Sequence, residues 1–428
     1  MRKFTRAWAV TAALVLSAPL GPAACGGGDD TEQPSFVQHT AAATPTPAVP
    51  VEPVTLAVTP ANGAKKQPVS TEIGIAVGGA QITEVTVTAQ GGGAVKGRLR
   101  DDGSTWVPSR PLKYSQRYTA SVTATGPTGQ AETRKTSFTT MGRPGSLIGS
   151  GLYLFDGNTY GVAMPVVVEF SPGIQKKDRA AVQKRMFVTT DPPQPGTWHW
   201  VDNGAQTYYR APEYWTPGTE ISVRIGLEGI PLSNGRYGNV DRSATAKIGD
   251  KVELKVDNAS KKMSVFENGE LTRSMPVSLG KKKTPSSSGT MVIMEKKEST
   301  VFDTFAELGP TEGYRTDISF AQRLTWGGEY IHAAPWSVDD QGRRNVSHGC
   351  VNLSTSNARW LFERTKVGDP ITVAGTERKL GAGNGWTAWN QTWAEFIKGS
   401  ALPVPPDLAS GGVPDNPAPT GSVAPGTP

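Results

Sequence analysis

Cysteine and histidine are scarce in this chain. Its 428 residues contain two cysteines, Cys25 and Cys350, and four histidines. If Cys25 is lipidated or removed with an N-terminal leader, Cys350 has no partner left in the chain, which excludes an intramolecular disulfide framework. A free cysteine outside the cytoplasm is open to oxidation, so its presence there argues for a chemical use.

The sequence also has no segment in which lysine and arginine are concentrated among aromatic residues. Nucleic-acid binding needs such clusters, and the chain is therefore not expected to bind DNA or RNA. The formal net charge is +6, and three of the basic residues, Arg2, Lys3 and Arg6, lie in the N-terminal leader. The mildly basic balance that remains suits a protein of an anionic cell envelope.

A long apolar run is present at residues 7–20, directly after the basic N-terminus. The run is too short for a stable membrane span, and the pattern predicts an export signal at residues 1–24. Cys25 follows small residues and precedes a glycine run. This arrangement resembles a bacterial lipoprotein cleavage site, although Pro22 stands where a branched aliphatic residue is usual. We therefore expect an extracytoplasmic protein of the cell envelope, anchored by a lipid on Cys25 to the outer face of the plasma membrane. Ordinary cleavage near Ala24 is the alternative.

Composition and strand periodicity divide the next part of the chain into a tether and two β modules. Residues 25–53 are rich in threonine, proline and alanine and too poor in apolar residues to form a core, which predicts a disordered tether. Residues 54–140 contain short alternating strands with glycine and proline turns, which predict an immunoglobulin-like (Ig-like) β-sandwich. The pattern of residues 114–122 recurs at residues 215–223, about one such domain further on, so residues 141–249 are expected to form a second sandwich. Both sandwiches are expected to act as spacers.

Residues 250–375 are predicted to form a third module that is also rich in strands. The predicted strands are 252–256, 262–267, 270–279 and 371–374, and the dipeptide Asn268-Gly269 predicts a hairpin turn. The lysine run at 281–283 is interpreted as a solvated loop rather than as a specific contact with an anionic wall polymer.

Near the end of this module, the segment Ser347-His348-Gly349-Cys350 places the thiol in a tight turn downstream of His332. A thiol attacks as a thiolate, so it needs a base within reach and hydrogen-bond donors where the oxyanion develops. Gly349 lets the backbone turn so that the amides of Gly349 and Cys350 can point at one carbonyl oxygen, with His332 as the base. A zinc site of His332, His348 and Cys350 is the alternative. Because a His-x-Cys pair is a weak metal signal, we expect neither a metal nor another cofactor.

His332 is followed, after fourteen residues, by the string Ser-His-Gly-Cys-x-Asn. This arrangement resembles the signature of the L,D-transpeptidase (YkuD-like) catalytic domain. The whole chain resembles the mycobacterial and actinobacterial lipoprotein type of that family, which has tandem Ig-like domains. The resemblance implies a mainly β protein with two tandem Ig-like β-sandwiches followed by a β-rich YkuD-like catalytic domain. It assigns the nucleophile to Cys350 and the base to His332. Supporting catalytic roles fall to Ser347, His348 and Gly349. The family often has serine after the base histidine, where this chain has Ala333; alanine suffices if the main-chain carbonyl there orients the imidazole.

The donor cleft of the family maps onto residues on both sides of the catalytic turn. By resemblance, the substrate-binding residues are Tyr314, Gly327, Gly328, Trp336 and Asn352. Tyr314 would form an aromatic wall with its hydroxyl near the oxyanion, the two glycines would expose backbone to the peptide stem, and Asn352 would bind substrate or brace the loop. The alternatives are that Tyr314 and Trp336 are core residues and that the glycines serve only a tight turn.

The resemblance also implies a two-step acyl transfer between peptidoglycan stem peptides. Cys350 attacks the third residue of a tetrapeptide donor stem, D-Ala leaves, and an amine of the acceptor stem resolves the thioester into a 3→3 crosslink. Carbapenem β-lactams are expected inhibitors, because they would acylate the same thiol. Attachment of proteins to peptidoglycan by the same chemistry and a non-enzymatic Ig-like cell-wall-binding lipoprotein are the alternatives. A papain-like endopeptidase is disfavoured, because there the cysteine usually precedes its histidine.

Residues 376–402 carry three tryptophans, Phe396 and Ile397 at helical spacing. This stripe is expected to form a small C-terminal helical subdomain that docks on the catalytic domain and is similar to that of the mycobacterial enzymes. Glycan stacking and membrane insertion are the alternatives. The proline, glycine, alanine and threonine content of residues 403–428 predicts a disordered tail.

Overall fold

The computed structural model describes residues 53–100, 102–303, 305–313 and 315–410. The predicted signal peptide, Cys25, nearly all of the predicted tether and Tyr314 lie outside these described residues. Strands make up most of the regular structure, which confirms the mainly β fold class. Within the described ranges, no helix is long and apolar enough to span a membrane.

The first sandwich consists of two four-stranded sheets. Its strands are β1 (Thr55–Thr59), β2 (Ala64–Gln67), β3 (Ile73–Gly78), β4 (Gln81–Ala89), β5 (Gly97–Leu99), β6 (Thr105–Pro108), β7 (Arg117–Thr125) and β8 (Ala131–Thr140). The sheet orders are β1-β3-β6-β5 and β2-β8-β7-β4. Along β7, Tyr118, Ala120, Val122 and Ala124 are buried in the core between the sheets, because alternate side chains of a strand point to the same face.

The second sandwich repeats this arrangement. Its elements are β9 (Leu147–Leu152), β10 (Thr159–Tyr160), β11 (Val166–Ser171), α1 (Arg179–Gln183), β12 (Met186–Asp191), β13 (Thr197–Trp200), β14 (Gln206–Arg210), β15 (Glu220–Ile225), β16 (Tyr237–Gly238) and β17 (Arg242–Ile248). The sheet order β10-β17-β15-β12 corresponds to β2-β8-β7-β4, and the first pair is parallel in both. The other sheet, β13-β14-β11-β9-β16, adds only β16 to the order of its counterpart. The strands that hold the recurring sequence pattern, β7 and β15, are thus equivalent, which confirms the tandem Ig-like sandwiches.

The third module also contains two sheets. Its elements are β18 (Val252–Asp257), β19 (Lys262–Glu267), β20 (Glu270–Pro276), β21 (Ser287–Val292), β22 (Glu295–Asp303), α2 (Phe305–Glu312), β23 (Arg315–Arg323), β24 (Tyr330–Ala333), β25 (Val351–Leu353), α3 (Thr355–Arg364), β26 (Pro370–Ala374) and β27 (Arg378–Lys379). The sheet orders are β20-β19-β18-β26-β21-β27 and β22-β23-β24-β25. Helix α3 begins where the Ser354 hydroxyl accepts a hydrogen bond from the Asn357 amide, and it buries Ala358 and Leu361 in the core of this module.

The hairpin between β19 and β20 forms at the predicted place. Asn268 and Gly269 have φ angles of 51° and 89°, the positive values that a tight hairpin turn requires. β20 ends at Pro276, however, so the prediction of a strand over 270–279 was three residues too long. The chain beyond it leaves the neighbouring strand because its backbone pairs with the turn that carries the thiol. Two isolated bridges form there, Ser278 with Asn352 and Gly280 with Ser347.

The C-terminal segment forms short turns instead of one continuous helix. These are 3-10 turns at Ala388–Asn390 and Ile397–Gly399, helix α4 (Trp393–Phe396) and helix α5 (Pro406–Ala409). Trp386, Trp389 and Phe396 are buried in the cluster that forms the core of the second sandwich. The predicted docking on the catalytic module is therefore only part of the arrangement, because much of the aromatic surface lies against the second sandwich.

Arg210, at the end of β14, explains this docking. Its buried guanidinium donates hydrogen bonds to the carbonyl oxygens of Ala388 at 3.1 Å and Gln391 at 3.0 Å. It also lies over the rings of Trp389 and Phe396, with 4.3 and 4.4 Å to the centroids. A buried cation on the second sandwich thus receives both the carbonyl groups and the aromatic faces of the C-terminal segment.

Helix α5 corrects the predicted start of the disordered tail. It lies within residues 403–428, where the composition predicted no regular structure. The indole N–H of Trp393 donates to the carbonyl oxygen of Leu408 at 3.0 Å, which holds this turn against α4. Residues 411–428 lie outside the described residues.

Candidate active site

The pairing of β24 with β25 brings the predicted base and nucleophile to one face of a sheet. The strands are parallel, with Ile331 opposite Val351 and His332 opposite Asn352. Ile331 and Val351 are buried in the core of the module, so His332 and Asn352 point to the opposite face. Cys350 directly precedes β25, two residues before Asn352, and belongs to that same face.

His332 is held as a neutral imidazole. Its Nδ1 lies 2.8 Å from the carbonyl oxygen of Ala333, which can only accept a hydrogen bond, so Nδ1 carries the proton and Nε2 keeps its lone pair. The side chain is 4% exposed, and burial lowers the pKa of His332 below its ordinary value. The main-chain carbonyl therefore orients the ring without a hydroxyl at position 333.

Cys350 is held as a neutral thiol. The residue is 5% exposed, and its Sγ lies 3.7 Å from the carbonyl oxygen of Gly328, to which the S–H donates. Burial raises the pKa of Cys350 to about 12; a hydrogen bond from the Tyr330 backbone acts in the opposite direction, and the negative charge of Glu329 adds to the increase. A group that attacks as a thiolate therefore needs a base to take its proton here.

The turn around the thiol is closed by its own side chains. The Ser347 hydroxyl donates to the carbonyl oxygen of Cys350 at 2.7 Å and accepts from the Gly349 amide at 3.1 Å. The Ser286 hydroxyl donates to the carbonyl oxygen of Gly349 at 2.7 Å. Gly349 has a φ of 131°, which L side chains rarely adopt. Because its amide is engaged by Ser347, the predicted oxyanion contact from the Gly349 N–H is not formed in this arrangement.

His348 faces the lysine loop. Its Nε2 lies 2.9 Å from Nζ of Lys281, the first residue of the lysine run. Lys281 is therefore part of the surroundings of the catalytic turn, whereas Lys282 and Lys283 are exposed, as a solvated loop requires. In the part of the chain that the structure describes, no three His, Cys, Asp or Glu side chains are grouped closely enough to hold a metal ion.

The predicted cleft residues Gly327 and Gly328 form the loop beneath the sulfur. The Gly327 amide donates to Asn384 Oδ1 at 2.8 Å, while the Gly328 carbonyl faces the thiol. Gly328 has a φ of 84°, so the turn itself also requires glycine at this position.

Trp336 and Asn352 are both neighbours of the base. Trp336 is 61% exposed, so it is not a core residue, and its ring centroid lies 6.0 Å from that of His332. Asn352 is buried; its Nδ2 donates to the Ser337 hydroxyl at 3.2 Å, and its Oδ1 has no hydrogen-bond partner among the described residues.

The sequence interpretation assigned no role to several side chains of the site. The Phe302 ring lies 5.3 Å from that of Tyr330 and 6.5 Å from that of His332, which adds an aromatic wall from β22. Tyr330 could have been found from the strand period, because it lies two residues before the base. Glu329 is buried at 5% exposure and forms an ion pair with Arg378. No local pattern links those two residues.

Two sequence-family models agree with this architecture. The sequence model of the L,D-transpeptidase catalytic domain matches residues 251–373, and that of the bacterial Ig domain matches residues 64–231. L,D-transpeptidase 2 of Mycobacterium tuberculosis (strain CDC 1551 / Oshkosh) is 34% identical over 400 residues, which cover 92% of this chain and 96% of that protein. L,D-transpeptidase 5 of Mycobacterium tuberculosis (strain ATCC 25618 / H37Rv) is 34% identical over 342 residues, 78% of this chain and 74% of that protein. A solved structure of the LD transpeptidase LdtMt1 in complex with imipenem covers 54% of this chain and 100% of its own, with 34% identity and a TM-score of 0.45.

Proposed function

Because the chain belongs to the L,D-transpeptidase family, whose members are acyltransferases, we propose that it forms 3→3 peptidoglycan crosslinks through Cys350. The observation that carries this proposal is the pair of neutral groups on one sheet face. Burial lowers the pKa of His332 and keeps the ring neutral, the single ring proton is on Nδ1 because Nδ1 donates to the Ala333 carbonyl, and Nε2 is therefore free to take the proton of the Cys350 thiol.

The reaction has two acyl transfers. His332 Nε2 takes the proton of Cys350 as Sγ attacks the carbonyl carbon of the third residue in a tetrapeptide stem. The C–N bond to the terminal D-Ala breaks, and the departing amine receives the proton from His332, which leaves a thioester on Cys350. The side-chain amine of the third residue in a neighbouring stem then attacks the thioester, gives a proton to His332 and expels the thiolate. The products are an amide crosslink and a regenerated thiol.

The surrounding groups suit a peptide donor. The buried Oδ1 of Asn352 has no partner among the described residues, and a stem N–H would supply one once the donor displaces the groups that cover it. Gly327 and Gly328 expose backbone beside the sulfur, and Trp336 offers an exposed ring at the mouth of the site. We assign these residues to substrate binding. Tyr314 keeps the same assignment by family resemblance alone.

Intact mass spectrometry with product analysis tests the proposal. The full-length protein with Cys25→Ser, which leaves Cys350 as the sole thiol, is incubated with a disaccharide-tetrapeptide. The expected result is release of D-Ala and a crosslinked dimer. Both should be lost in Cys350→Ala, and both should fall by at least about a hundredfold in His332→Ala, the loss expected when a general base is removed.

His199→Gln is the matched control, because this histidine lies on the second sandwich and contacts the C-terminal segment. It should retain turnover. Turnover by His332→Ala at the wild-type rate would refute the assigned base, and crosslinking by Cys350→Ala would refute the nucleophile.

We also propose that carbapenem β-lactams acylate Cys350. The β-lactam carbonyl would occupy the place of the donor carbonyl, and ring opening would leave a stable thioester. A mass increase equal to one intact carbapenem is expected in the wild type and not in Cys350→Ala. An unmodified, folded wild type after long incubation would overturn this proposal.

We also propose that a lipid on Cys25 anchors the protein to the outer face of the plasma membrane. Metabolic labelling of producing cells with a fatty-acid probe should mark the wild type in the membrane fraction and leave Cys25→Ser unlabelled. A soluble, unlabelled mature wild type would contradict the anchor.

A further inference from the structure

The buried carboxylate of Glu329 is tied to two neighbouring strands. It accepts hydrogen bonds from the Ser287 amide at 3.0 Å and from the Ser287 hydroxyl at 2.7 Å, and it forms an ion pair with Arg378. β21 and β27 are parallel, with Ser287 directly opposite Arg378, so both partners reach the carboxylate from adjacent positions. Burying a carboxylate that is only 5% exposed is costly unless it is hydrogen-bonded and paired in this way.

Glu329 also lies between the two main-chain groups that contact the sulfur. The preceding carbonyl, of Gly328, accepts the thiol hydrogen, and the following residue, Tyr330, provides a backbone hydrogen bond to the sulfur. Anchoring the Glu329 side chain to Ser287 therefore fixes the backbone on both sides. The catalytic turn rests on this anchor, since a Cβ placed on Gly349 would lie 3.5 Å from Glu329 Cγ and 3.7 Å from Arg378 Nη2.

We propose that Glu329 and Arg378 are a positioning pair for the Cys350 nucleophile. Glu329 holds the loop that contacts the sulfur, and Arg378 offsets the negative charge that this anchor places near a thiol that must ionise. The inference rests on the proposed function in taking Cys350 as the reacting group. It assigns to β27, the last strand of the third module, a part in the chemistry of the site through Arg378.

The other titratable groups around the sulfur come from two elements. On β24 they are Tyr330 and His332, and in the catalytic turn His348 with its neighbour Lys281. Replacing Glu329 or Arg378 leaves all of these groups in place. A change in the thiol pKa in such variants therefore reports the charge of the pair, provided that the fold is kept.

The test measures the ionisation of the thiol and requires no substrate. Alkylation of Cys350 by iodoacetamide is followed between pH 7 and 9.5 in the full-length Cys25→Ser protein. Glu329→Gln keeps oxygen and nitrogen groups for the two Ser287 contacts but removes the negative charge, so it should lower the thiol pKa and speed alkylation. Arg378→Met leaves the carboxylate unbalanced, so it should raise the thiol pKa and slow alkylation.

The change in Glu329→Gln should be about three- to fourfold in rate, and that in Arg378→Met should be smaller, because the Arg378 side chain is 46% exposed and its charge is screened by solvent. A nearby charge shifts a pKa by about one unit or more, and part of the tenfold change in thiolate population is offset by the opposite change in thiolate nucleophilicity. The double variant should return to within about twofold of the starting protein, because both charges are then absent. Arg378→Lys should also stay near the starting rate, since it keeps the charge. Arg134→Met, which breaks an exposed pair with Glu132 on the first sandwich, is the control and should change nothing.

Opposite shifts that cancel in the double variant support the pair, whereas a purely structural role would move both single variants in the same direction. Rates that change in the same direction, or that do not change, would overturn the proposal. If Arg378→Met fails to fold, Glu329→Gln and Arg378→Lys still decide it, because they predict a faster and an unchanged rate respectively. If the wild type forms no crosslink although the two single variants show these opposite shifts, the proposed function is refuted. The positioning pair is then still supported.

Discussion

The thiol of Cys350 should react slowly at neutral pH and speed up continuously as the pH rises through 10. Burial raises its pKa from the ordinary value of 9.0 to about 12. A raised pKa favours the neutral thiol. Because the pKa is higher by about three, the thiolate population near pH 7 is about a thousandfold smaller than that of a free cysteine. A more basic thiolate is also a better nucleophile, and this raises the alkylation rate by about twentyfold. The net expectation is alkylation about fiftyfold slower than that of a free cysteine thiol.

The pH profile of iodoacetamide alkylation, with N-acetylcysteine as the reference thiol, separates this effect from steric protection. Hindered access alone would lower the rate by a constant factor and leave the curve bending near pH 9. A raised pKa predicts a log-linear increase through pH 10 with no bend. His332→Ala should leave the profile unchanged, because a neutral imidazole contributes no charge, while it lowers turnover of the donor stem by at least about a hundredfold.

A rate plateau between pH 6 and 8 that disappears in His332→Ala would refute this reasoning. Such a plateau would mean that the resting site contains a thiolate paired with an imidazolium. The base would then have taken the proton before substrate arrives.

Three further outcomes follow from the described geometry. Arg210→Met should lower the free energy of unfolding by roughly 3 kcal/mol, because buried carbonyl groups of the C-terminal segment lose a charged donor, and an unchanged urea midpoint by tryptophan fluorescence would contradict this. Gly349→Ala should reduce kcat by roughly ten- to a hundredfold, since space for the Cβ exists but a φ of 131° costs about 1–3 kcal/mol and the turn changes its backbone shape to avoid that strain; full activity would refute the required backbone shape. Burial raises the pKa of Asp369 to about 7, so its protonated carboxyl stabilises the fold fully below the unfolded pKa of about 3.9, and that contribution is lost as the pH rises through 7. This pH dependence of the free energy of unfolding is worth on the order of 4 kcal/mol, and Asp369→Asn should flatten it in denaturant unfolding at pH 4, 6 and 8. If the free energy of unfolding of the variant changes with pH as much as that of the wild type, the assignment to Asp369 is wrong.

The sequence was informative wherever a feature is local. The Asn268-Gly269 turn needs only two residues with positive φ, and those residue types allow it. The sandwich repeat was detectable because equivalent strands carry the same spacing of buried side chains. His332 and Cys350 could be assigned because a thiol nucleophile needs a base, and few histidines are available.

Features that depend on strand order could not be predicted from the sequence. Glu329 and Arg378 are brought together by the pairing of β21 with β27, which no short-range pattern encodes. The Gly349 amide was expected at the oxyanion, but the hydroxyl of Ser347 competes for it within the same turn. The aromatic stripe of the C-terminal segment was recognised, but not its docking on Arg210, since a buried arginine without a nearby pattern gives no signal of its partners.

The ion pair between Arg378 and Glu329 has a consequence for biosynthesis, because Arg378 comes late in the chain. Arg378 and Asn384 follow Cys350, so the ribosome makes the nucleophile before it makes the side chains that hold the loop at Gly327 and Glu329. A polypeptide that ends before residue 378 carries the thiol without those contacts. Translation of the C-terminal segment is thus the step that completes the site, and truncated products have the reactive group without the means to position it.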